Sequence, residues 1–243
     1  MKSVIVIPAR MASTRFPGKP LVPLCGKPMI QWVYERAVAS GACDDVYITS
    51  PDDDILSVAS SFGAKVHQSR LDHPTGTDRI AEFAETVAAE FYVNVQGDEP
   101  LIDLGTIRSV ASAFVEQGTK MVSAYSLLKE EEKPNPAAVK VVTAVDGNAL
   151  YFSRFPIPFP RNQTQVLYKK HIGIYGYTRE VLGIYPTWKQ GELELSESLE
   201  QLRFLENGVS IRMVEGKESA VAVDTPEQAK EVEAILQQMP SQR

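Results

Sequence analysis

The segment Pro8-Ala9-Arg10-Met11-Ala12-Ser13-Thr14-Arg15-Phe16-Pro17-Gly18-Lys19-Pro20-Leu21 holds two arginines, a lysine, glycine and small hydroxylated side chains directly after an apolar run, Val4-Ile5-Val6-Ile7. The run reads as a buried first strand. A loop of this composition at a strand end is suited to an anion, because its backbone N–H groups can converge on phosphate oxygens while Arg and Lys supply charge. It lacks the Gly-x-x-x-x-Gly-Lys-Ser/Thr spacing and is therefore not a P-loop.

A second group follows the pattern Asn94-Val95-Gln96-Gly97-Asp98-Glu99-Pro100 at the end of another apolar run. In open α/β sheets, ligands bind at the carboxyl ends of the strands. Gly97 lets the chain turn sharply and present Asp98, and a carboxylate facing a polyphosphate is suited to Mg²⁺, which takes one or two carboxylates with phosphate oxygens and water. Alone, Asp98 and Glu99 read equally well as turn caps; the basic loop on the same edge favours metal. Asp224, in Val223-Asp224-Thr225-Pro226-Glu227, reads first as a helix start with Pro in its first turn, and second as a carboxylate converging on Asp98. The stretch His73-Pro74-Thr75-Gly76-Thr77-Asp78-Arg79 suits a base or ribose, or is a plain capping turn. His171 and Tyr175 lie four apart on an alternating segment and so share a face. Glu200 and Gln201 precede Arg203 on a helix.

These groups need a scaffold, and the first half of the chain supplies an alternating one. Strands are expected at 4–7, 46–49, 65–67 and 91–95, and helices at 29–40, 52–62, 78–90 and 106–117. Gly41, Gly63 and Gly118 stand just past helix ends, and Thr77 or Asp78 would cap the third helix. The rhythm implies a parallel sheet with helices on both faces. The second half changes character: strands at 139–145 and 149–153 flank an Asp-Gly-Asn turn, a Pro-rich stretch follows, and a strand at 171–177, a helix at 196–206, a strand at 209–214 and a helix at 226–238 close the chain.

At 243 residues and 44% hydrophobic content the chain suits one large α/β domain. A net charge of −6 disfavours general nucleic-acid binding and makes the basic loop a local patch. No apolar run approaches the ~18 residues of a membrane span, and no signal-peptide pattern opens the sequence; a cytoplasmic location is expected. Cys25 and Cys43 make neither a disulfide framework nor a zinc site.

Taken together, the chain resembles the bacterial 3-deoxy-manno-octulosonate (Kdo) cytidylyltransferases nearly end to end. The resemblance rests on the first loop, Met29-Ile30-Gln31-Trp32-Val33-Tyr34-Glu35-Arg36-Ala37, Gly76-Thr77-Asp78-Arg79, the Gln96 to Pro100 motif, Ala149-Leu150-Tyr151-Phe152-Ser153-Arg154, His171-Ile172-Gly173-Ile174-Tyr175-Gly176-Tyr177, Glu197-Ser198-Leu199-Glu200-Gln201-Leu202-Arg203 and Val223-Asp224-Thr225-Pro226. It implies an α/β nucleotidyltransferase fold: a Rossmann-like three-layer sandwich with a mixed, mainly parallel sheet. It also implies a β-rich portion at roughly 137–215 for sugar binding and homodimer contact. The implied reaction joins CTP and Kdo to give CMP-Kdo and pyrophosphate for lipopolysaccharide synthesis, with Mg²⁺ on Asp98 and Asp224. Arg10, Arg15 and Lys19 would hold phosphates and act with the two carboxylates in catalysis. Pro8, Ala9, Ser13, Thr14, Gly76, Thr77, Arg79, Gln96 and Gly97 would line the nucleotide. Gln96, Arg154, His171, Tyr175, Glu200 and Gln201 would bind the sugar, Arg154 through its carboxylate. Ala12 stands where the family carries Gly, which requires a backbone angle that Ala can adopt. Kdo, its 8-amino analogue or another acidic sugar are the substrates to separate; a non-catalytic CTP-binding module is the alternative of a different class.

Overall fold

The first apolar run is buried on both faces because its alternate side chains enter different cores. Val4 and Val6 pack with Ile80, Phe83, Val181 and Leu202, whereas Ile5 and Ile7 pack with Ile30, Val33, Ile55 and Ile107. That two-residue period is what a central strand covered on both sides requires. The computed structural model describes residues 2–13, 15–115, 119–162 and 167–239.

In chain order the elements are β1 (Ser3–Pro8), β2 (Pro23–Leu24), β3 (Lys27–Pro28), α1 (Met29–Ser40), β4 (Asp45–Ser50), α2 (Asp53–Ser61), β5 (Lys65–Gln68), α3 (Gly76–Thr86), β6 (Phe91–Asn94), α4 (Leu104–Ser112), β7 (Met121–Leu127), β8 (Lys140–Thr143), β9 (Ala149–Ser153), β10 (Lys169–Thr178), α5 (Arg179–Ile184), α6 (Glu192–Glu197), α7 (Gln201–Glu206), β11 (Ile211–Glu215) and α8 (Pro226–Gln238). The main sheet runs β11-β7-β10-β6-β1-β4-β5. The pairs β6–β1, β1–β4, β4–β5 and β7–β11 are parallel, and β10 is antiparallel to both β6 and β7. Helices cover both faces, so the mixed α/β fold expected from the sequence is the one found. α8 closes a third, smaller cluster over Leu24, Met29 and Leu101.

The β-rich stretch is not an appendage. The β8–β9 hairpin pairs with the first residues of β10, and β10 itself lies in the middle of the main sheet. β7 is a fully integrated strand that the sequence pattern does not announce.

Three local expectations are corrected. The cap of α3 is Thr75, whose side chain accepts from Asp78 N while the Asp78 carboxylate accepts from Thr75 N, so the helix begins two residues before the expected 78. The single helix expected over 196–206 is broken: Ser198 takes a left-handed backbone, φ 51°, between α6 and α7. The Glu197 carboxylate accepts from Ser153 Oγ at 2.6 Å and Arg154 N at 2.9 Å, which pins the break to the end of β9. The expected fourth helix stops earlier, at Ser112, with a 3-10 turn over Ala113–Val115; Gln117 and Gly118 lie outside the described residues.

Candidate active site

The basic loop leaves the carboxyl end of β1 and is held close to the sheet. Met11 N donates to Asp52 Oδ2 at 2.7 Å, and Gly18 N donates to Met11 O at 3.0 Å, which closes the loop on itself. Gly18 has φ 73°, a left-handed angle that glycine takes without strain, and it aims the 3-10 turn carrying Lys19 inward. Ala12 is not among the described non-glycine residues with positive φ, so alanine fits there without strain. Beside the loop, the turn after β6 approaches so closely that a Cβ on Gly97 would stand 2.8 Å from Pro8 O. Glycine is therefore what lets Asp98 reach the loop.

Lys19 joins three remote segments. Its Nζ donates to Asp98 Oδ2 at 2.7 Å, to Asp224 Oδ1 at 3.1 Å and to Val223 O at 3.0 Å. Arg15 Nη2 lies 2.9 Å from the same Asp224 oxygen. Val223 N donates to Asp98 O, which stitches the two acidic segments together at 2.9 Å. The Lys19 side chain is 14% exposed, against 66% for Arg15. Lys19 is thus a built part of the site, while Arg15 is free to reorient toward solvent or a ligand.

These residues line a cavity of about 800 Å³ that also takes in Pro8, Ala9, Arg10, Ser13, Gly76, Arg79, Gln96 and Gly97. Arg79 is buried, held by Nε donation to Ser69 Oγ at 2.8 Å. Burial, and then the neighbouring Arg10, lower the pKa of its guanidinium. His73, also on the wall, is anchored to Glu82 Oε2 at 2.6 Å. Glu99, next to Asp98, is pushed up to about 7 by burial and by the Asp98 charge.

A second cavity of about 160 Å³ opens beside the first and shares Gly76 and Gln96 with it. Thr77, Asn94, Tyr175, Tyr177, Glu200, Gln201 and Phe204 complete most of its wall. It forms where β6 meets the reversed strand β10 and where α7 starts. Burial raises the pKa of the Glu200 carboxyl, opposed by hydrogen bonds from Thr77 and Tyr185. A bidentate Arg203–Glu194 pair, with both side chains 5% exposed, ties α7 to α6 and holds Glu200 and Gln201 in place.

The expected site residues divide accordingly. The five charged groups Arg10, Arg15, Lys19, Asp98 and Asp224 meet in the large cavity. Tyr175, Glu200, Gln201 and Gln96 meet in the small one. Thr77, expected beside the nucleotide, lines the small cavity instead, because α3 starts early and turns it toward Tyr177. His171 lines neither cavity; it stands behind Tyr175, ring centroids 5.4 Å apart, and its Nε2 shares a hydrogen bond with Ser123 Oγ at 2.9 Å. Burial lowers its pKa to about 3, so the ring is neutral.

Arg154 lines neither cavity. Its guanidinium donates to Glu197 O at 2.7 Å, Pro136 O at 3.0 Å and Ser198 O at 3.1 Å. It braces the break between α6 and α7 and is spent on backbone carbonyls. Thr14 lies outside the described residues. Asn94 and Tyr177 belong to the small cavity and were not foreseen; for Asn94 the available signal was a polar residue ending an otherwise apolar central strand.

Comparison with known proteins fits this geometry. The family model described as Cytidylyltransferase matches residues 4–211. The chain therefore belongs to the cytidylyltransferases, a class that matches a phosphate loop facing paired carboxylates. The 3-deoxy-manno-octulosonate cytidylyltransferase of Solibacter usitatus is 46% identical over 95% of this chain and 93% of its own, and that of Escherichia coli is 41% identical over 98% and 97%. The solved structure of CMP:2-keto-3-deoxy-manno-octonic acid synthetase complexed with CTP superimposes with a TM-score of 0.95 at 40% identity, covering 98% of this chain and 99% of that one. Within the class, the chain belongs to the 3-deoxy-manno-octulosonate cytidylyltransferase family. The 4-diphosphocytidyl-2C-methyl-D-erythritol synthase of Anaerococcus prevotii, at TM-score 0.66 and 13% identity, shares the fold alone.

Proposed function

We propose that this protein transfers the cytidylyl group of CTP to 3-deoxy-manno-octulosonate, releasing pyrophosphate. The observation that carries this reading is Lys19 bound at once to Asp98, Asp224 and Val223 O on the floor of the large cavity. The anomeric oxygen of the sugar attacks the α-phosphorus, the bond from that phosphorus to the bridging oxygen breaks, and the electron pair leaves with pyrophosphate. Arg10, Arg15 and Lys19 hold the phosphates and take up charge on the leaving group; such positioning and charge stabilisation is what phosphoryl transfer chiefly requires. Pro8, Ala9, Ser13, Gly76, Arg79, Gln96 and Gly97 form the nucleotide side. Tyr175, Glu200 and Gln201 form the sugar side, with Gln96 between the two. His171 is assigned no proton transfer, because a ring held neutral down to about pH 3 is a poor base.

The Asp98 and Asp224 carboxylates gathered around Lys19 are oxygen donors of the kind that fits Mg²⁺ beside a polyphosphate. Asp98 and Asp224 would hold the ion. When bound, it supplies Lewis-acid polarisation of phosphate oxygens.

The protein is further assigned a place as a homodimer working in the cytoplasm in lipopolysaccharide synthesis. No helix among the described residues is long and apolar enough to cross a membrane. Leu127, Leu150, Phe155, Phe159 and Leu167 are all more than half exposed, on or near the β8–β9 hairpin and the start of β10; a second copy covering them would remove that apolar area from water.

Pyrophosphate release with Mg²⁺ and CTP tests the function. Release with Kdo and none without sugar supports it. A preference for 8-amino-Kdo keeps the mechanism and changes the substrate, and no release with any acidic sugar overturns it.

A further inference from the structure

Asn94 ends β6 between two strands of opposite sense, paired to Val6 on one side and Tyr175 on the other. It is 2% exposed, and its Oδ1 has no hydrogen-bond partner. The Nε2 of Gln201, 4% exposed, has none either. Both residues line the 160 Å³ cavity. An unpaired buried amide atom is costly, so two in one small cavity call for a ligand that returns both bonds. One is an acceptor and the other a donor, and a hydroxylated ligand can serve each.

The wall also restricts how that ligand lies. Among the described residues lining the small cavity there is no Lys, Arg or His, and Glu200 is the one acidic side chain. A substrate carboxylate placed there would meet a carboxyl group and no counter-charge. The cations Arg10, Arg15, Lys19 and Arg79 are in the large cavity, across Gln96.

Resting on the proposed function, we infer that Asn94 is a specificity-setting substrate contact: its amide oxygen accepts a hydrogen bond from a sugar hydroxyl. Gln201 donates to another oxygen of the same polyol, and the sugar's carboxylate points out toward the cationic loop. A polar site left unpaired by a missing hydroxyl discriminates strongly against the deoxy analogue.

The test is steady-state kinetics of wild-type protein and Asn94→Ala with Kdo and its single-deoxy analogues, alongside thermal unfolding. In wild type, one deoxy analogue should lose about tenfold or more in kcat/KM, the scale of one hydrogen bond with its unpaired partner. Asn94→Ala should raise KM for Kdo about tenfold and no longer distinguish Kdo from that analogue. KM for CTP should stay unchanged, and the unfolding midpoint should hold or rise. If Asn94→Ala still separates all the analogues as wild type does, or if its defect falls equally on CTP and on stability, the inference is overturned. Should the variant fail to fold, wild type treating every deoxy analogue like Kdo overturns it. Wild type that turns over no acidic sugar fails the functional reading first and this inference with it.

Discussion

The two cavities meet at Gln96 and Gly76 but differ in their chemistry. The large one is walled by charge, from Arg15, 66% exposed and paired with Asp224, to Lys19, 14% exposed. The small one is walled by buried amides and hydroxyls, and the charges that support it are an Arg203–Glu194 pair kept out of both cavities. Charge near solvent is suited to phosphates, and a wall of buried amides and hydroxyls is suited to a polyol. On the proposed function, the contrast teaches that the groups assigned to reaction and those assigned to recognition adjoin at Gln96 and Gly76.

The contrast can be broken most severely on the side of the small cavity. Glu194→Gln or Arg203→Met leaves one buried charge without its partner and should cost about 3–5 kcal/mol in denaturant unfolding; a loss below about 1 kcal/mol would mean α6 and α7 do not depend on the pair. On the charged side, Asp98→Asn or Asp224→Asn should lower kcat at least about a hundredfold with little change in stability. Retained turnover in either variant would remove the metal assignment. Lys19→Ala should raise KM for CTP and lower turnover by about ten- to a hundredfold, as for one lost charge-assisted bond, and normal kinetics would count against the phosphate loop.

The last effect, absent at neutral pH, sharpens the comparison through acid. His171 is held near pKa 3, below its unfolded value of about 6.5, so the unfolded chain binds more protons between those limits. Its contribution to stability is complete above about pH 6.5 and is lost as pH falls toward 3, with a slope of up to about 1.4 kcal/mol per pH unit. His171→Gln should flatten that slope in urea unfolding series. An unchanged slope would mean that the ring titrates freely.

The charged half of the site was legible because cations on one loop and carboxylates after glycine or before a helix betray themselves by type. The parallel strands β1, β4 and β6 were legible as continuous apolar runs. β7 was not, because Met-Val-Ser-Ala-Tyr-Ser-Leu mixes small polar residues into a strand buried on both faces, which leaves neither alternation nor an apolar run. The break at Ser198 was hidden because the polar partners that fix it, Ser153 and Arg154, lie more than 40 residues away. The small cavity draws on α3, β6, β7, β10 and α7, and no local pattern could bring Asn94 to Gln201. The carbonyl partners of Arg154 were hidden for a related reason: a guanidinium suited to a carboxylate is equally suited to three carbonyls.

The reversed strand β10 also sets an order of assembly. β7 pairs with β6-β1-β4-β5 by way of β10, so until residue 178 is available β7 stands apart from that parallel set. Such long-range pairing is slow to form during synthesis. Asp224 follows later still, which means that a nascent chain emerging from the ribosome carries the basic loop long before it carries the second carboxylate. The contact between Lys19 and Asp224 thereby joins two segments made 205 residues apart.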